Sequence, residues 1–241
     1  GHRPQVVLAV LDEHLRPGAG TFRYADVVRD GMVVDYIGAI RIVREMKEEL
    51  EEKLGSQLIY AAAAIPPGTD ALDSGAIKNV VQGAGFEITA LPDEPTAANA
   101  VLNIRNGAVV DIGGGTTGIS VLKDGKVVYV ADEPTGGTHF SLVIAGAYKM
   151  SFADAEIYKR DKKNHKELLP VLKPVIEKVS SIISRHIEGR EVDGIYLVGG
   201  TCCLTGIEGI IEKKTGIPTY KPGNPMFVTP LGIARNCTAQ A

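Results

Sequence analysis

A run of glycines directly after an acidic residue is the part of this sequence that most clearly indicates chemistry. Within VVDIGGGTTGISV, the residues of interest are Asp111, Gly113, Gly114, Gly115, Thr116 and Thr117. Glycines allow a phosphate to approach the backbone, and successive amides in a tight loop form a concave anion nest. A carboxylate beside polyphosphate needs a divalent cation between the two. The segment therefore predicts a phosphate loop with magnesium held through water near Asp111.

The elements around these glycines decide which kind of phosphate loop this is. In dinucleotide-binding sites and P-loops, the glycines open a helix whose N-terminus binds the phosphate. Here the glycines lie between apolar strands, and Asp124-Gly125 within the following GISVLKDGKVVYVA is a strong hairpin signal. The GK[ST] ending of a P-loop is also missing. The pattern predicts a phosphate clamp inside a β-hairpin, and the competing interpretation is a glycine turn without a ligand.

The rest of the chain alternates strand and helix patterns, which predicts an α/β protein. Strands are predicted at 5–12, around 21–28 after a turn at 14–20, at 58–65 as a buried strand, at 88–91 and at 194–200. Helices are predicted over 33–54, 70–85, 94–104, 138–149, 153–163, 168–187, 204–214 and 230–239.

Composition excludes several classes of protein. The net charge of −3 and the scattered basic residues argue against a nucleic-acid partner. No apolar run approaches the roughly 18 residues of a membrane span, so no membrane partner is expected. Three cysteines, with Cys202 and Cys203 adjacent, favour a reducing compartment. We therefore expect a cytoplasmic protein.

Several motifs, in order along the chain, resemble those of the superfamily of actin, sugar-kinase and heat-shock-chaperone ATPases. DIGGGTTGISV is similar to its second phosphate loop, and LPDEPTAANAVL to its first connecting helix. GGTHFSLVI resembles the Gly-Gly helix start, DAEIYKRD the Glu-x-x-Lys-Arg helix, and IYLVGGTCCLTG the Gly-Gly adenosine loop. The resemblance implies an actin-like ATPase fold of two lobes, each a sheet flanked by helices, with ATP or ADP and magnesium bound in a cleft.

The resemblance also assigns roles to individual residues. It implies that Asp111 is the magnesium acid and that Glu94, the other catalytic residue, orients metal-bound or attacking water. The implied adenosine contacts are Glu156, Lys159, Arg160, Gly199, Gly200 and Thr201. Two alternatives stay open: Glu94 as an ordinary acid at a helix N-terminus, and 156–160 as a solvated helix face with local ion pairs.

Two departures from the superfamily pattern limit which of its structural and functional features can be inferred for this chain. Its first phosphate loop, an Asp-x-Gly-Thr hairpin, is missing, and the strand at 5–12 resembles the strand that follows that loop. Only KKNHKELLP separates the Glu-x-x-Lys-Arg helix from the next long helix, so the outer subdomains are expected to be minimal. The predicted lobes are 1–107 with 226–241, and 108–225.

The opening of the chain and the segment AAAAIPPGT resemble a family of ethanolamine-utilisation proteins encoded with bacterial microcompartments. That resemblance implies an ATP-binding, chaperone-like protein whose client is an ethanolamine-pathway enzyme, associated with a microcompartment. Two alternatives remain, a non-hydrolysing scaffold with a vestigial nucleotide cleft and a pilus or cytoskeletal actin homologue. Weak ATP turnover and a small homo-oligomer are both compatible with the sequence.

Overall fold

The computed structural model describes residues 5–12, 14, 16–24, 27–29, 32–65 and 70–237. The chain divides into two compact units, and each has its own apolar core. The first unit comprises the described residues up to Asn103 together with those from Thr229 onward, and the second is Ile104–Val228. No helix within the described residues is long and apolar enough to cross a membrane.

The described residues of the first unit form short strand pairs and four helices. The strands are β1 (Gln5–Leu11) antiparallel to β2 (Pro17–Tyr24), β3 (Val28–Arg29) antiparallel to β4 (Met32–Val33), and β5 (Tyr60–Ala62) parallel to β6 (Glu87–Ala90). The helices are α1 (Tyr36–Leu54), α2 (Ala71–Gly83), α3 (Glu94–Leu102) and α8 (Val228–Arg235), whose first residue belongs to the second unit.

Local signals explain where α1 begins and ends. The carboxylate of Asp35 accepts from the amide of Gly38 at 2.9 Å, which caps the N-terminus. Gly55 ends the helix in the left-handed conformation, with φ of 69°. Between these caps, the helical spacing of Val43, Met46 and Leu50 buries one face.

Two predictions for the first unit need correction. The strand predicted at 58–65 is limited to Tyr60–Ala62 and is not buried, because Tyr60 is 40% exposed. Within the described residues β5 pairs only with β6, so this sheet is too small to enclose it. β2 begins at Pro17, inside the predicted turn. Residues 25 and 26 of the predicted second strand lie outside the described residues.

The second unit is built on a five-stranded mixed sheet in the order β11-β10-β7-β8-β9. Its strands are β7 (Gly107–Ile112), β8 (Thr117–Lys123), β9 (Lys126–Glu133), β10 (Ile195–Val198) and β11 (Thr219–Tyr220). β7, β8 and β9 form an antiparallel meander, and β10 runs parallel to both β7 and β11. Asp124 and Gly125 both have positive φ, which confirms the predicted hairpin turn.

Four helices pack around this sheet: α4 (Gly137–Tyr148), α5 (Phe152–Arg160), α6 (His165–Ile187) and α7 (Ile207–Thr215). Leu168, Leu172 and Ile176 of α6 are fully buried and join the strand residues in one core. A 3-10 turn at Gly200–Cys203 precedes α7, so the helix predicted over 204–214 starts later, at Ile207. The two-residue β11 is too short for any periodicity and was not predicted.

Candidate nucleotide site

The glycine loop connects two adjacent antiparallel strands. Ile112 of β7 lies opposite Thr117 of β8, which confirms the hairpin and excludes a strand-to-helix phosphate loop. The amide of Gly113 donates to the carbonyl of Thr116 at 3.0 Å and closes the turn. This amide is therefore unavailable to a ligand, and the predicted nest of four amides is reduced to those of Gly114, Gly115 and Thr116.

The carbonyls of the loop are fixed by the first turn of α4. The carbonyl of Gly113 accepts from the Gly137 amide at 2.9 Å, and that of Gly114 accepts from the Thr138 amide at 2.7 Å. In a trans peptide unit the N–H points opposite to the C=O. The amides of Gly114 and Gly115 therefore point away from α4, and no described residue accepts from these two amides or from that of Thr116.

The glycine pair that starts α4 is required by this contact. A Cβ on Gly136 would lie 2.8 Å from the carbonyl carbon of Gly115 and from the amide nitrogen of Thr116. Any side chain here would displace the loop backbone. The hydroxyl of Thr138 is buried without a hydrogen-bond partner among the described residues. A buried polar group of this kind is rare and is consistent with a missing ligand or water.

Asp111, the penultimate residue of β7, has a half-buried carboxylate that no described residue contacts by a hydrogen bond. Burial raises the pKa of Asp111 to about 6, and the negative charge of Asp132 adds to the increase. Gly199 follows β10 with φ of 93°, and a side chain there would collide with the Asp111 carboxylate. The glycine therefore allows the β10 loop to approach this acid.

Asp132 was not among the predicted site residues. Asp111 pairs with Gly118 across β7 and β8, and Gly118 pairs with Asp132 across β8 and β9. Cross-strand partners share a face, so the two acids lie on one face of the sheet with only a glycine between them. A Cβ on Gly118 would lie 3.9 Å from both the Asp111 Cβ and an Asp132 carboxylate oxygen.

This donor set fits magnesium and fits poorly with a closed protein site for a transition metal. No described group of three or more histidine, cysteine or acidic residues is placed to hold a metal ion. Magnesium is usually bound through one or two carboxylates, with waters and substrate phosphates completing its coordination. Asp111 and Asp132 match that pattern, and the adjacent amides, which meet no acceptor among the described residues, are placed to bind the phosphates.

The α5 residues assigned to adenosine contacts bind one another and α4. Lys159 Nζ donates to Glu156 at 2.7 Å, to the Ser141 hydroxyl at 2.7 Å and to the Gly137 carbonyl at 2.9 Å. Its three donors are thus committed, and burial lowers the pKa of Lys159. Burial also acts to raise the pKa of Glu156, but hydrogen bonds from Lys159 and Ser141 outweigh it, so that pKa is lowered. Arg160 pairs with Glu156 at 3.1 Å and is half-exposed.

The Gly199-Gly200 loop is braced against the glycine loop and α6. The Thr201 hydroxyl donates to the Gly113 carbonyl at 2.7 Å. Nδ1 of the buried His165 accepts from the Thr205 amide at 3.1 Å, and its Nε2–H donates to the Lys159 carbonyl at 3.0 Å. The structure thus brings the glycine loop, Lys159 and Thr201 into one hydrogen-bonded region, and Asp111 lies beside it next to Gly199.

Two of the predicted site residues, Thr117 and Glu94, have surroundings unlike those of the loop amides and Asp111. The Thr117 hydroxyl is buried and donates to the Thr135 carbonyl at 2.6 Å, so it supports the hairpin. Glu94 is the exposed first residue of α3, where Asp93 caps the helix by accepting from the Thr96 amide at 2.8 Å. Glu94 belongs to the first unit, and its catalytic role stays a prediction.

Comparisons with known proteins place this geometry in a family. The family model described as "Type IV pilus assembly protein PilM" matches residues 84–226. The ethanolamine utilization protein EutJ of Salmonella typhimurium is 44% identical over 237 residues, which is 98% of this chain and 83% of the relative. A chaperone protein HscA homolog of Burkholderia thailandensis is 25% identical over 270 residues, which is 90% of this chain and 43% of that protein.

Solved structures agree on the fold. The crystal structure of EutJ from Carboxydothermus hydrogenoformans has a TM-score of 0.91 at 50% identity, covering 97% of this chain and 86% of that one. A PilM-PilN type IV pilus biogenesis complex has a TM-score of 0.78 at 15% identity, covering 96% and 95%. MreB5 of Spiroplasma citri bound to ADP has a TM-score of 0.70 at 18% identity, covering 94% and 86%. The chain therefore has the predicted actin-like ATPase fold and belongs to the EutJ family of ethanolamine utilization proteins.

Proposed function

We propose that this protein binds ATP or ADP with magnesium and acts as a chaperone-like factor on an enzyme of the ethanolamine pathway or its microcompartment. The observation that carries the proposal is the set of amides at Gly114, Gly115 and Thr116, for which the described part of the chain supplies no acceptor, adjacent to the half-buried Asp111. Free donors beside an acid of raised pKa suit a ligand that combines phosphate with a divalent cation. The cytoplasm, in association with a microcompartment, is the proposed location.

Each part of the site has a distinct role in this proposal. The three amides bind phosphate oxygens, and Asp111 holds the waters of magnesium, with Asp132 as the second carboxylate. Magnesium supplies the positive charge that makes this acidic position compatible with phosphate. Gly199, Gly200 and Thr201 form the adenosine side of the site. The water-orienting role implied for Glu94, which belongs to the first unit, stays a separate proposal. Phosphoryl transfer needs mainly positioning and charge stabilisation, so weak hydrolysis requires no covalent residue.

The relatives support both halves of the proposal. EutJ proteins are named for ethanolamine utilization, and the HscA homolog is named as a chaperone. MreB5, which shares the fold, was solved with ADP bound. These names describe those proteins, and a nucleotide-controlled client interaction is what they suggest for this chain.

Calorimetric titration with MgADP and MgATP tests nucleotide binding directly. We expect binding that Asp111→Asn weakens at least tenfold, a loss of about 1.4 kcal/mol. Asp193→Asn, at an exposed acid outside the site, should bind as the unaltered chain does. Aggregation of heat-stressed ethanolamine-pathway enzymes, followed by light scattering with and without nucleotide, tests the client role. Suppression that is independent of nucleotide would contradict the coupling.

A non-hydrolysing scaffold is the second candidate, because Lys159 and Glu156 already satisfy each other and the family model is that of a pilus assembly protein. It predicts stable binding of a pathway enzyme by a chain that binds neither nucleotide. The filament-forming alternative predicts that ATP drives this protein into the pellet on ultracentrifugation. Nucleotide titration and sedimentation separate these candidates from the proposed function.

A further inference from the structure

A groove between α6 and α7 lies apart from the nucleotide site. Its volume is about 530 Å³, and its apolar floor is formed by Leu169, Pro170 and Ile210. That volume is within the roughly 300–1,000 Å³ typical of ligand pockets. Leu169 lies close to Gly206, where an added Cβ would be 2.8 Å from its Cδ2, so the floor is fixed by close packing ahead of α7.

The sides of the groove are strongly basic. Four exposed lysines line it, Lys166, Lys173, Lys213 and Lys214, against a single acid, Glu177. Glu177 lies 3.8 Å from Lys173, and no described acid pairs with the other three lysines. Long lysine side chains can lie along an apolar floor while their ammonium groups reach outward to a partner. The groove thus offers apolar contact below and unpaired positive charge above.

The backbone of α6 adds acceptors beside this groove. Pro170 and Pro174 both lie inside the helix and have no N–H. The carbonyls of Lys166 and Pro170 consequently receive no hydrogen bond from the residue four positions on. Lys166 and Pro170, whose carbonyls these are, both line the groove.

We propose that this groove binds an acidic amphipathic helix of a partner protein. Helix-in-groove recognition places apolar side chains at helical spacing into an apolar floor. Four lysines against one glutamate require a partner whose flanking residues are acidic, since electrostatic complementarity selects the partner and steers its approach. The recessed floor suits a helix better than a flat anionic membrane surface. This proposal does not depend on nucleotide binding.

Gly209 provides a selective way to block the groove. It lines the groove within α7, and an added Cβ there meets no atom within 4 Å. Gly209→Trp fills the groove without disturbing the core, whereas Gly209→Ala leaves it open and favours the helix. Gly146→Trp, at an equally open position on α4, is the matched control for an added tryptophan.

The test is fluorescence anisotropy of a labelled peptide of about 18 residues with leucines at helical spacing and glutamates elsewhere. We expect the full chain to bind it in a salt-dependent manner, with affinity reduced at least tenfold by Gly209→Trp or by Lys213→Glu with Lys214→Glu. Gly209→Ala, Gly146→Trp, and Lys126→Glu with Lys178→Glu should bind normally. The last pair makes the same charge change at exposed lysines outside the groove.

Several outcomes would overturn the proposal. Failure to bind at millimolar peptide, or equal binding of a peptide with lysine in place of glutamate, would show that the groove does not select acidic helices. Binding of phosphatidylserine vesicles that the lysine reversals abolish, without peptide binding, would assign it to a membrane surface. Self-association lost in Gly209→Trp would assign it to a second copy of this chain. Nucleotide titration of Gly209→Trp should be unchanged, which separates this test from that of the proposed function.

Discussion

The glycine loop and the α5 face lie close together, and the resemblance assigned both to the nucleotide, yet their hydrogen bonding is opposite. The loop leaves the amides of Gly114, Gly115 and Thr116 without described acceptors, and Asp111 without a described donor. On α5, the ammonium of Lys159 is bound by three acceptors of the protein itself. Unsatisfied groups are costly unless a ligand completes them, so the loop is the stronger candidate for direct contact. Lys159 supports the loop indirectly, since it binds the carbonyl of Gly137, whose amide binds the loop carbonyl of Gly113.

The sharpest way to break this comparison is to remove the ammonium of Lys159. Lys159→Met removes the buried cationic donor that Glu156 and Ser141 share and leaves Glu156 only the half-exposed Arg160 among the described cations. We expect a loss of about 3 kcal/mol in the free energy of unfolding. Urea denaturation measures it. Arg160→Met removes the half-exposed second cation that pairs with Glu156, and it should lower the free energy of unfolding by less than about 1 kcal/mol. A Lys159→Met protein of normal stability but weakened nucleotide affinity would return Lys159 to the adenosine site.

The contact between α4 and the loop gives the next largest effect. Gly136→Ala puts a methyl group 2.8 Å from loop backbone atoms, which we expect to cost about 2 kcal/mol of stability and to weaken nucleotide binding. Gly146→Ala, where an added Cβ meets nothing within 4 Å, should instead stabilise α4 by up to about 1 kcal/mol. Equal thermal midpoints for the two variants would show that the loop tolerates displacement.

Asp111→Asn separates the effect of the Asp111 charge on folding stability from its effect on magnesium-dependent nucleotide binding. Because the pKa of Asp111 is raised to about 6 in the folded protein, its ionisation opposes folding at neutral pH. Without nucleotide, the amide variant should therefore be more stable by about 1–2 kcal/mol near pH 7.5, while its magnesium-dependent nucleotide affinity falls about tenfold. A variant that is destabilised without ligand would mean that Asp111 has a structural partner.

The pH dependence of stability and of magnesium-dependent affinity is expected to show the smallest effects, and these are the most specific to Asp111. The folded protein binds the Asp111 proton more tightly than the unfolded chain, so this group's contribution to stability is lost as pH rises from about 4 to about 6. Magnesium competes with that proton, and magnesium-dependent affinity should decline as pH falls below about 6. Asp132→Asn removes the Asp132 charge, the weaker of the two causes that raise the pKa of Asp111. The decline in affinity should therefore move to lower pH, and the affinity itself should change about threefold. Titrations at several pH values check both effects.

The sequence predicts most of the framework of the second unit because its signals are local. The Asp124-Gly125 turn, the Gly136-Gly137 helix start and the strand around Tyr196 each depend on backbone conformation or apolar pattern within a few residues. The resemblance identified the glycine loop and its order among the other motifs. These features need no knowledge of distant contacts.

The role of Asp132 could not be found this way. Counting from the Asp124-Gly125 turn places Ala131 opposite Gly118, with Asp132 on the other face. A register shift between Val121 and Leu122 moves Asp132 into that position. Bulges depend on how three strands fit together and are not visible in the local pattern. The commitment of Lys159 to Gly137 and Ser141 likewise depends on a tertiary contact between two helices.

Helix α4 contacts the glycine loop at its first turn and reaches the surface at its last residue. Its first residues, Gly137 and Thr138, hold the glycine loop, while Ser141 binds Lys159 of α5 about 6 Å along the axis. Tyr148, at the far end, is about 10 Å beyond that second point. Lys159 also donates to the Gly137 carbonyl, and Phe140 and Ile144 of α4 are fully buried in the core. The loop is therefore held by a helix that is itself fixed to α5 and to the core, so the loop amides are oriented before any ligand binds.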